Sequence, residues 1–198
     1  MAKAGDIMVS AATGETFKFI KTAADTNGEL LQIDMVIAPG GGAKAVPAHI
    51  HPIQEERFYI KSGQIKFELN GEEFITGPGE TVIVPAGASH TWSNATDDEA
   101  TFLLEMQPAL DWEVIFETLC AVSQQGLLGP DGKSSLIGTA VVFDKYKDHM
   151  YIAGMPIGLQ KVMFAVLGTV GRMMGHKSER SYFMPEVQAL RQMTEQPA

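Results

Sequence analysis

Cysteine is almost absent from the 198 residues: Cys120 stands alone, so no disulfide can form within the chain, and a reducing compartment, the cytosol, is expected. Positive charge is also scarce. Fifteen lysines and arginines against 24 aspartates and glutamates leave a formal net charge of −9. That balance argues against nucleic acid as the main partner, because phosphate binding needs a basic face. No apolar run reaches membrane-span length without charge, Pro or Gly interruption, and Met1 to Ser10 carries no apolar stretch of the kind found in a secretory leader. A soluble, cytoplasmic protein is the expectation. Repeats, low-complexity tracts and a helix-turn-helix region are missing as well, and Gly40-Gly41-Gly42 does not run into a helix, which removes a dinucleotide-binding reading. The length allows one good core, with a modest appendage beyond a small barrel.

What is present changes character once, near Pro108. Before it lie short β-type runs separated by turns: Thr16 to Lys21, Glu29 to Ile37, Glu56 to Ile60, Ile65 to Leu69, Glu73 to Thr76, Thr81 to Val84, His90 to Asn94 and Ala100 to Met106. Leu31, Ile33, Met35 and Ile37 alternate with Gln32, Asp34 and Val36, as expected where one face packs inside a barrel. Asn70-Gly71 between two runs is a hairpin signal. The spacing predicts a mainly β sandwich or jelly-roll barrel over residues 1–108.

After Pro108 the periodicity is helical. Asp111 is a candidate N-cap for Trp112 to Gln125 with Gly126 as the stop, and Ser134 or Ser135 a cap for a second helix through Tyr146. A third helix is expected from about Gly158, with Leu159, Val162, Met163, Val166, Leu167, Val170, Met173 and Met174 on one stripe, weakened by Gly168, Gly171 and Gly175. From Gly158 to Arg191, Lys161, Arg172, Lys177, Arg180 and Arg191 stand against Glu179 and Glu186, a local charge of +3. Two readings of this helix compete: a Met-rich lid or lipid-touching surface helix, and an amphipathic helix that faces the core. The second is the expectation. Residues 109–198 are thus expected as a helical extension packing on the barrel or on a dimer partner. Unpaired strand edges and the apolar stripe favour a homodimer.

Four residues carry the chemistry. In His49-Ile50-His51 the histidines sit two apart, so on a strand both rings point to one side. Pro47 and Pro52 bracket the pair and exclude a helix there. Glu56 opens the next run, and by alternation only one of Glu55 and Glu56 faces inward. His90 follows a Pro-x-Gly turn, Pro85-Ala86-Gly87, that re-aims the chain. Three imidazoles and a carboxylate suit one divalent transition metal, with Fe, Mn, Ni, Co and Zn all compatible. Phe58 and Ile60 share the parity of Glu56 and should wall the metal. Trp92 shares the parity of His90 and either lines the cavity or fills the core. His149 and His176 have no such company and read as ordinary.

These stretches resemble the two signature motifs of the cupin superfamily. His49, His51, Glu56 and Gly63 fill the first motif, whose leading glycine should fall at Ala43 while Gly42 lies one residue earlier, as a slightly longer loop would place it. Gly79, Pro85, Gly87, His90 and Asn94 fill every position of the second. The resemblance spans roughly residues 15 to 108 and implies a double-stranded β-helix, the jelly-roll cupin barrel, of small quercetinase-like type. It implies a metal held by His49, His51, Glu56 and His90, with Glu56 as both ligand and general base, acting on a small organic substrate. The leading expectation is a dioxygenase-type oxidoreductase. Alternatives are non-redox isomerisation, cyclisation or elimination through an enolate, and a module that only binds a small ligand.

Overall fold

The computed structural model describes residues 2–42, 47–128 and 134–182. Met1, Ala43, Glu186 and Arg191, which bear on the expectations above, lie outside the described residues. Among the described residues eleven strands and three helices are found. The strands are β1 (Ile7–Ser10), β2 (Glu15–Lys21), β3 (Leu31–Ile37), β4 (His49–Ile50), β5 (Glu55–Ser62), β6 (Ile65–Leu69), β7 (Glu72–Thr76), β8 (Thr81–Val84), β9 (Ser89–Asn94), β10 (Ala100–Gln107) and β11 (Tyr151–Ile152). The helices are α1 (Trp112–Gln124), α2 (Leu136–Lys145) and α3 (Ile157–Met173). A six-stranded sheet in the order β1-β2-β3-β10-β5-β8 faces a five-stranded sheet ordered β11-β4-β9-β6-β7, with antiparallel pairing throughout. This is the mainly β jelly roll with C-terminal helices that the spacing and the motifs led one to expect.

Alternation sets the core. Leu31, Ile33, Met35 and Ile37 are all buried along β3, and Phe17 and Phe19 of β2 join them from the neighbouring strand. Asn70 and Gly71 both take positive φ, 52° and 85°, which is the backbone twist that joins β6 to β7 in a two-residue hairpin. Two strands escaped the sequence: β1, and β11, which pairs with β4. Both are short, and β11 sits between two helices with no flanking alternation to mark it.

The helices begin where their caps suggest, with one exception in detail. Ser135 caps α2, its side chain accepting from the Gly138 N–H at 3.0 Å. Asp111 precedes α1 but makes no side-chain cap bond; its backbone N–H donates to His149 Nε2 instead.

Helix α3 corrects the expectation of a core-facing stripe. Leu159, Val162, Val166, Val170 and Met173 are exposed, while Gln160, Phe164, Gly168 and Gly171 are buried. Glycine explains this. A Cβ on Gly168 would lie 2.8 Å from Asp144 Cβ, and one on Gly171 2.5 Å from a Val141 methyl, so α3 closes on α2 along its smallest face. Two of the three glycines read as weakening the helix, Gly168 and Gly171, are its packing surface, and Gly175 lies past its end. Nor is the basic character of this region a free patch: Lys161 pairs with Asp148, Arg172 with Asp144, and Arg180 hydrogen-bonds Gln125. Among the described residues no helix is long and apolar enough to cross a membrane.

Gly63 ends β5 at φ +72°, and a Cβ there would meet Ala100 Cβ at 2.7 Å and its Cα at 2.8 Å. Gly71 has a similar φ with nothing within 4 Å. Gly63→Ala is therefore expected to cost about 2–4 kcal/mol, left-handed strain plus overpacking, and Gly71→Ala only about 1 kcal/mol. Urea unfolding of the two variants checks the contrast.

Candidate metal centre

His49 opens the two-residue strand β4 and pairs directly with His90 of β9, which brings these two rings to one place on the inner face. His51 lies just past the end of β4, held because its carbonyl accepts from the Gly87 N–H at 2.8 Å. The Pro-x-Gly turn before His90 thus also fixes the histidine pair. Glu56 comes from the other sheet, on β5, with its side chain buried, while Glu55 faces outward and pairs with Arg57. One donor atom from each of His49, His51, Glu56 and His90 lies within 4.8 Å of all the others.

Each imidazole is turned by the main chain. His51 Nδ1 sits 2.7 Å from the His149 carbonyl oxygen, His49 Nδ1 3.1 Å from that of Pro47, and His90 Nδ1 3.4 Å from that of Ala88. A carbonyl oxygen can only accept, so the ring hydrogen must sit on Nδ1 and the Nε2 lone pair is left facing the cluster. Glu56 Oε2 lies 2.7 Å from His90 Nε2 and 3.6 Å from His51 Nε2. Among the described residues neither Oε2 nor His90 Nε2 has a hydrogen-bond partner. Two buried acceptors at that separation need a cation or a proton between them. The donor set fits a divalent transition metal, and these four residues could hold one.

Charge within the cluster is lopsided. Burial alone would push the Glu56 carboxyl up, but the imidazoles of His51, His90 and His49 reverse this and hold it at about 2. Burial, reinforced by His90 and His51, brings His49 down to about 3, and burial lowers His51 as well. His90 moves the other way: burial opposes its charge, yet the adjoining Glu56 carboxylate raises it above the ordinary histidine value.

A cavity of about 510 Å³ opens beside the cluster. Its floor is the barrel, and helices α1, α2 and α3 supply the rest of its wall, through Trp112, Phe116, Phe143, Met163 and Phe164 among others. Trp92 lines it, so the cavity reading of that residue holds, and its ring also packs over Gly42, whose φ is +96° and whose Cβ would lie 2.7 Å from it. Gly42 thus performs the tight approach that the motif assigns to a leading glycine; Ala43 is outside the described residues. Phe58 and Ile60 do not wall the cavity. Phe58 is enclosed by the rings of Phe67, Trp92 and Phe102 in the closed core, and the wall nearest the cluster includes Met106 and Trp112.

Two residues near the site correct the sequence reading: His149, read as ordinary, and Trp112, read only as the start of a helix. His149 is buried, and its carbonyl is the acceptor that orients His51. Trp112 stands edge-on to the His51 ring at 5.1 Å. Asn94, the last residue of the second motif, clamps the barrel end: its Nδ2 donates to the carbonyls of Ile37, Ala38 and Asp98. His176 lies away from the cluster.

Because the Glu56 charge is what raises His90, Glu56→Gln is expected to move the His90 titration to lower pH in metal-free protein, as followed by the imidazole nitrogen shifts in NMR. An unmoved His90 would show that the two groups do not share this charge.

Known proteins agree with the geometry. The family described as the Cupin domain matches residues 33–105. The chain is 27% identical to the polyketide synthase CurC of Streptomyces cyaneus over 73 residues, 37% of this chain and 46% of that one. It is 26% identical to quercetin 2,3-dioxygenase of Bacillus subtilis (strain 168) over 91 residues, 43% of this chain and 26% of the relative. It thus spans less than half the length of either. Among solved structures, KdgF from Halomonas sp. superposes with a TM-score of 0.47 at 18% identity, covering 55% of this chain and 90% of that one. A predicted oxalate decarboxylase from Thermotoga maritima gives 0.46 at 21%, covering 55% and 98%. The matched segment, residues 33–105, runs from β3 to β10, holds all four clustered residues, and is similar to the Cupin domain.

Proposed function

We propose that this protein is a metal-dependent oxidoreductase of the dioxygenase type, acting on a small, largely apolar molecule that presents enol, phenol or diketone oxygens. The observation that carries the reading is the position of the cluster: four buried donors converge, and three of them, His49, His51 and Glu56, line a largely apolar cavity large enough for a drug-sized molecule. His49, His51, Glu56 and His90 would hold one divalent ion, iron, manganese, nickel, cobalt or zinc. Bound there, such an ion supplies Lewis acidity and, where redox-active, a route for electrons to dioxygen. The chain's residues do the rest. The three carbonyl-bound Nδ1 atoms keep the Nε2 lone pairs in place without reorganisation. Trp112, Phe116 and Phe164 exclude water and align a flat substrate. Glu56 accepts the substrate's proton at Oε2.

The barrel, residues 1–108, carries the site in this reading, and residues 109–198 form its cover. We infer a cytosolic protein in which buried Cys120 stays reduced. The likeness to quercetin 2,3-dioxygenase supports dioxygen chemistry. The likeness to the polyketide synthase CurC supports a second reading, non-redox isomerisation, cyclisation or elimination through an enolate on the same donors.

His51→Ala and Glu56→Ala are expected to lower bound metal at least tenfold with the fold retained by circular dichroism, and to abolish turnover. Elemental analysis of untagged, anaerobically purified protein checks the first, and oxygen uptake with diketones and flavonols the second. Metal content unchanged in both variants sinks the site. Proton exchange into substrate without oxygen uptake selects the non-redox reading.

A homodimer is also part of the proposal, supported by the outward Leu159, Val162, Val166 and Val170 face of α3. Val166→Glu is expected to convert dimer to monomer in light scattering after size exclusion; a wild-type monomer sinks the idea.

A further inference from the structure

The chemistry above leaves one half-buried carboxyl of the cavity wall without a task. Glu15 begins β2 and pairs with Ser10 of β1 on one side and Ile37 of β3 on the other. It shares the inner face with Phe17 and Phe19, where an apolar residue would pack more cheaply. Glu15 is instead part of the cavity wall, together with Ser10 and Thr13. Its accessible surface is therefore surface that a bound molecule would touch.

The hydrogen bonds around it are incomplete. Thr13 Oγ1 lies 2.5 Å from Glu15 Oε2 and 2.7 Å from Ser10 Oγ. A hydroxyl has one hydrogen, so Thr13 donates to Glu15 while Ser10 donates to Thr13. Among the described residues nothing bonds Glu15 Oε1, and no basic side chain acts on the group. Among the described residues Cys120 and Glu117 of α1 and Tyr182 are the titratable groups on this side, and none brings positive charge. Burial pushes the Glu15 carboxyl up to about 7 against the opposing pull of the Thr13 bond.

Position gives the group its meaning. In the register of the six-stranded sheet Glu15 is level with Ile37, whereas Glu56 is level with Met106 and so with Leu31. Those are opposite ends of the seven-residue β3, roughly 20 Å apart along the strand. Between them the wall is aromatic. His51, Trp112, Phe116 and Phe17 follow one another at ring separations of 5.1, 5.1 and 5.0 Å. One cavity thus has metal donors at one end, a carboxyl at the other and rings between.

We propose that Glu15, set by Thr13 and Ser10, is a specificity-determining residue that receives a hydroxyl of an elongated, aromatic or polyketide-like substrate whose far end reaches His49, His51, Glu56 and His90. This rests on the metal-site reading and adds to it the substrate's length and the place of a second polar group.

The test uses the metal-loaded protein and two probes, 3-hydroxyflavone lengthened by a 4′-phenyl ring and the same compound hydroxylated at the far end of that ring, with binding followed by quenching of Trp92 and Trp112, which both line the cavity. Wild type is expected to bind the hydroxylated compound roughly tenfold more tightly, the effect of one hydrogen bond to a charged or polar buried group. Glu15→Leu is expected to abolish that preference while leaving the affinity of the unhydroxylated probe within about twofold. A preference that persists in Glu15→Leu overturns the proposal. So does failure of both compounds to bind wild type. Metal content, measured on the same samples, tells either failure apart from a failure of the metal site.

A second measurement guards against a merely structural role. The carboxyl titrates near 7 when folded and near 4.5 in an ordinary setting, so the native state loses stability as pH climbs through that window. Glu15→Leu is expected to raise the melting temperature, more at pH 8 than at pH 5. A lower melting temperature at pH 8 would show that Glu15 supports the fold, and would overturn the proposal.

Discussion

His90 Nε2 and Glu56 Oε2 face each other at 2.7 Å with no partner for either among the described residues, and most of the architecture can be understood as what it takes to hold them there. Left alone, two buried acceptors at that distance repel, and the chain would relieve this by turning a side chain away. It cannot, because the two residues come from different sheets whose strands are fixed by long registers. The carbonyls of Pro47, His149 and Ala88 fix the rings as well. A cation or a proton between them would relieve the conflict.

The fold meets this demand in layers. The barrel sets the distance between β5 and β9, and a glycine-rich turn at Pro85–Gly87 reaches over to hold the carbonyl of His51. The segment after the barrel supplies the remaining acceptor. His149 is tied at both ends, its carbonyl to His51 and its Nε2 to the backbone at the start of α1. The helices therefore do more than shield the cavity: they carry part of the orientation of a residue that the barrel motif alone would seem to own.

Much of the site was legible because strand parity is written into the sequence. The two-residue spacing of His49 and His51, the inward choice of Glu56 over Glu55, and the glycine and proline turn before His90 are all local patterns. His149 was invisible for a physical reason: it acts through its carbonyl oxygen, which every residue has. Glu15 was missed because its inward direction follows from pairing with β1 and β3, and β1 itself was too short to read. The stripe on α3 was seen but turned the wrong way, since helical spacing shows which residues share a face and says nothing about which face wins. Here the glycine face wins by allowing closer approach to α2. Phe58 shows the limit of parity in a strand, which fixes the side a residue faces but not how far along the barrel the open space extends.

Strand β11 ties the last part of the chain to the first motif. Tyr151 and Ile152 pair with Ile50 and His49, and the Ala153 N–H donates to the Ala48 carbonyl at 2.8 Å. The histidine-bearing strand is only two residues long and would otherwise be the outer strand of its sheet. A chain cut at Pro108 would keep every residue of both motifs and yet leave this strand with a bare edge and His51 without its acceptor. The smallest unit that can present a rigid histidine pair is therefore larger than the family segment, and its end lies beyond residue 153.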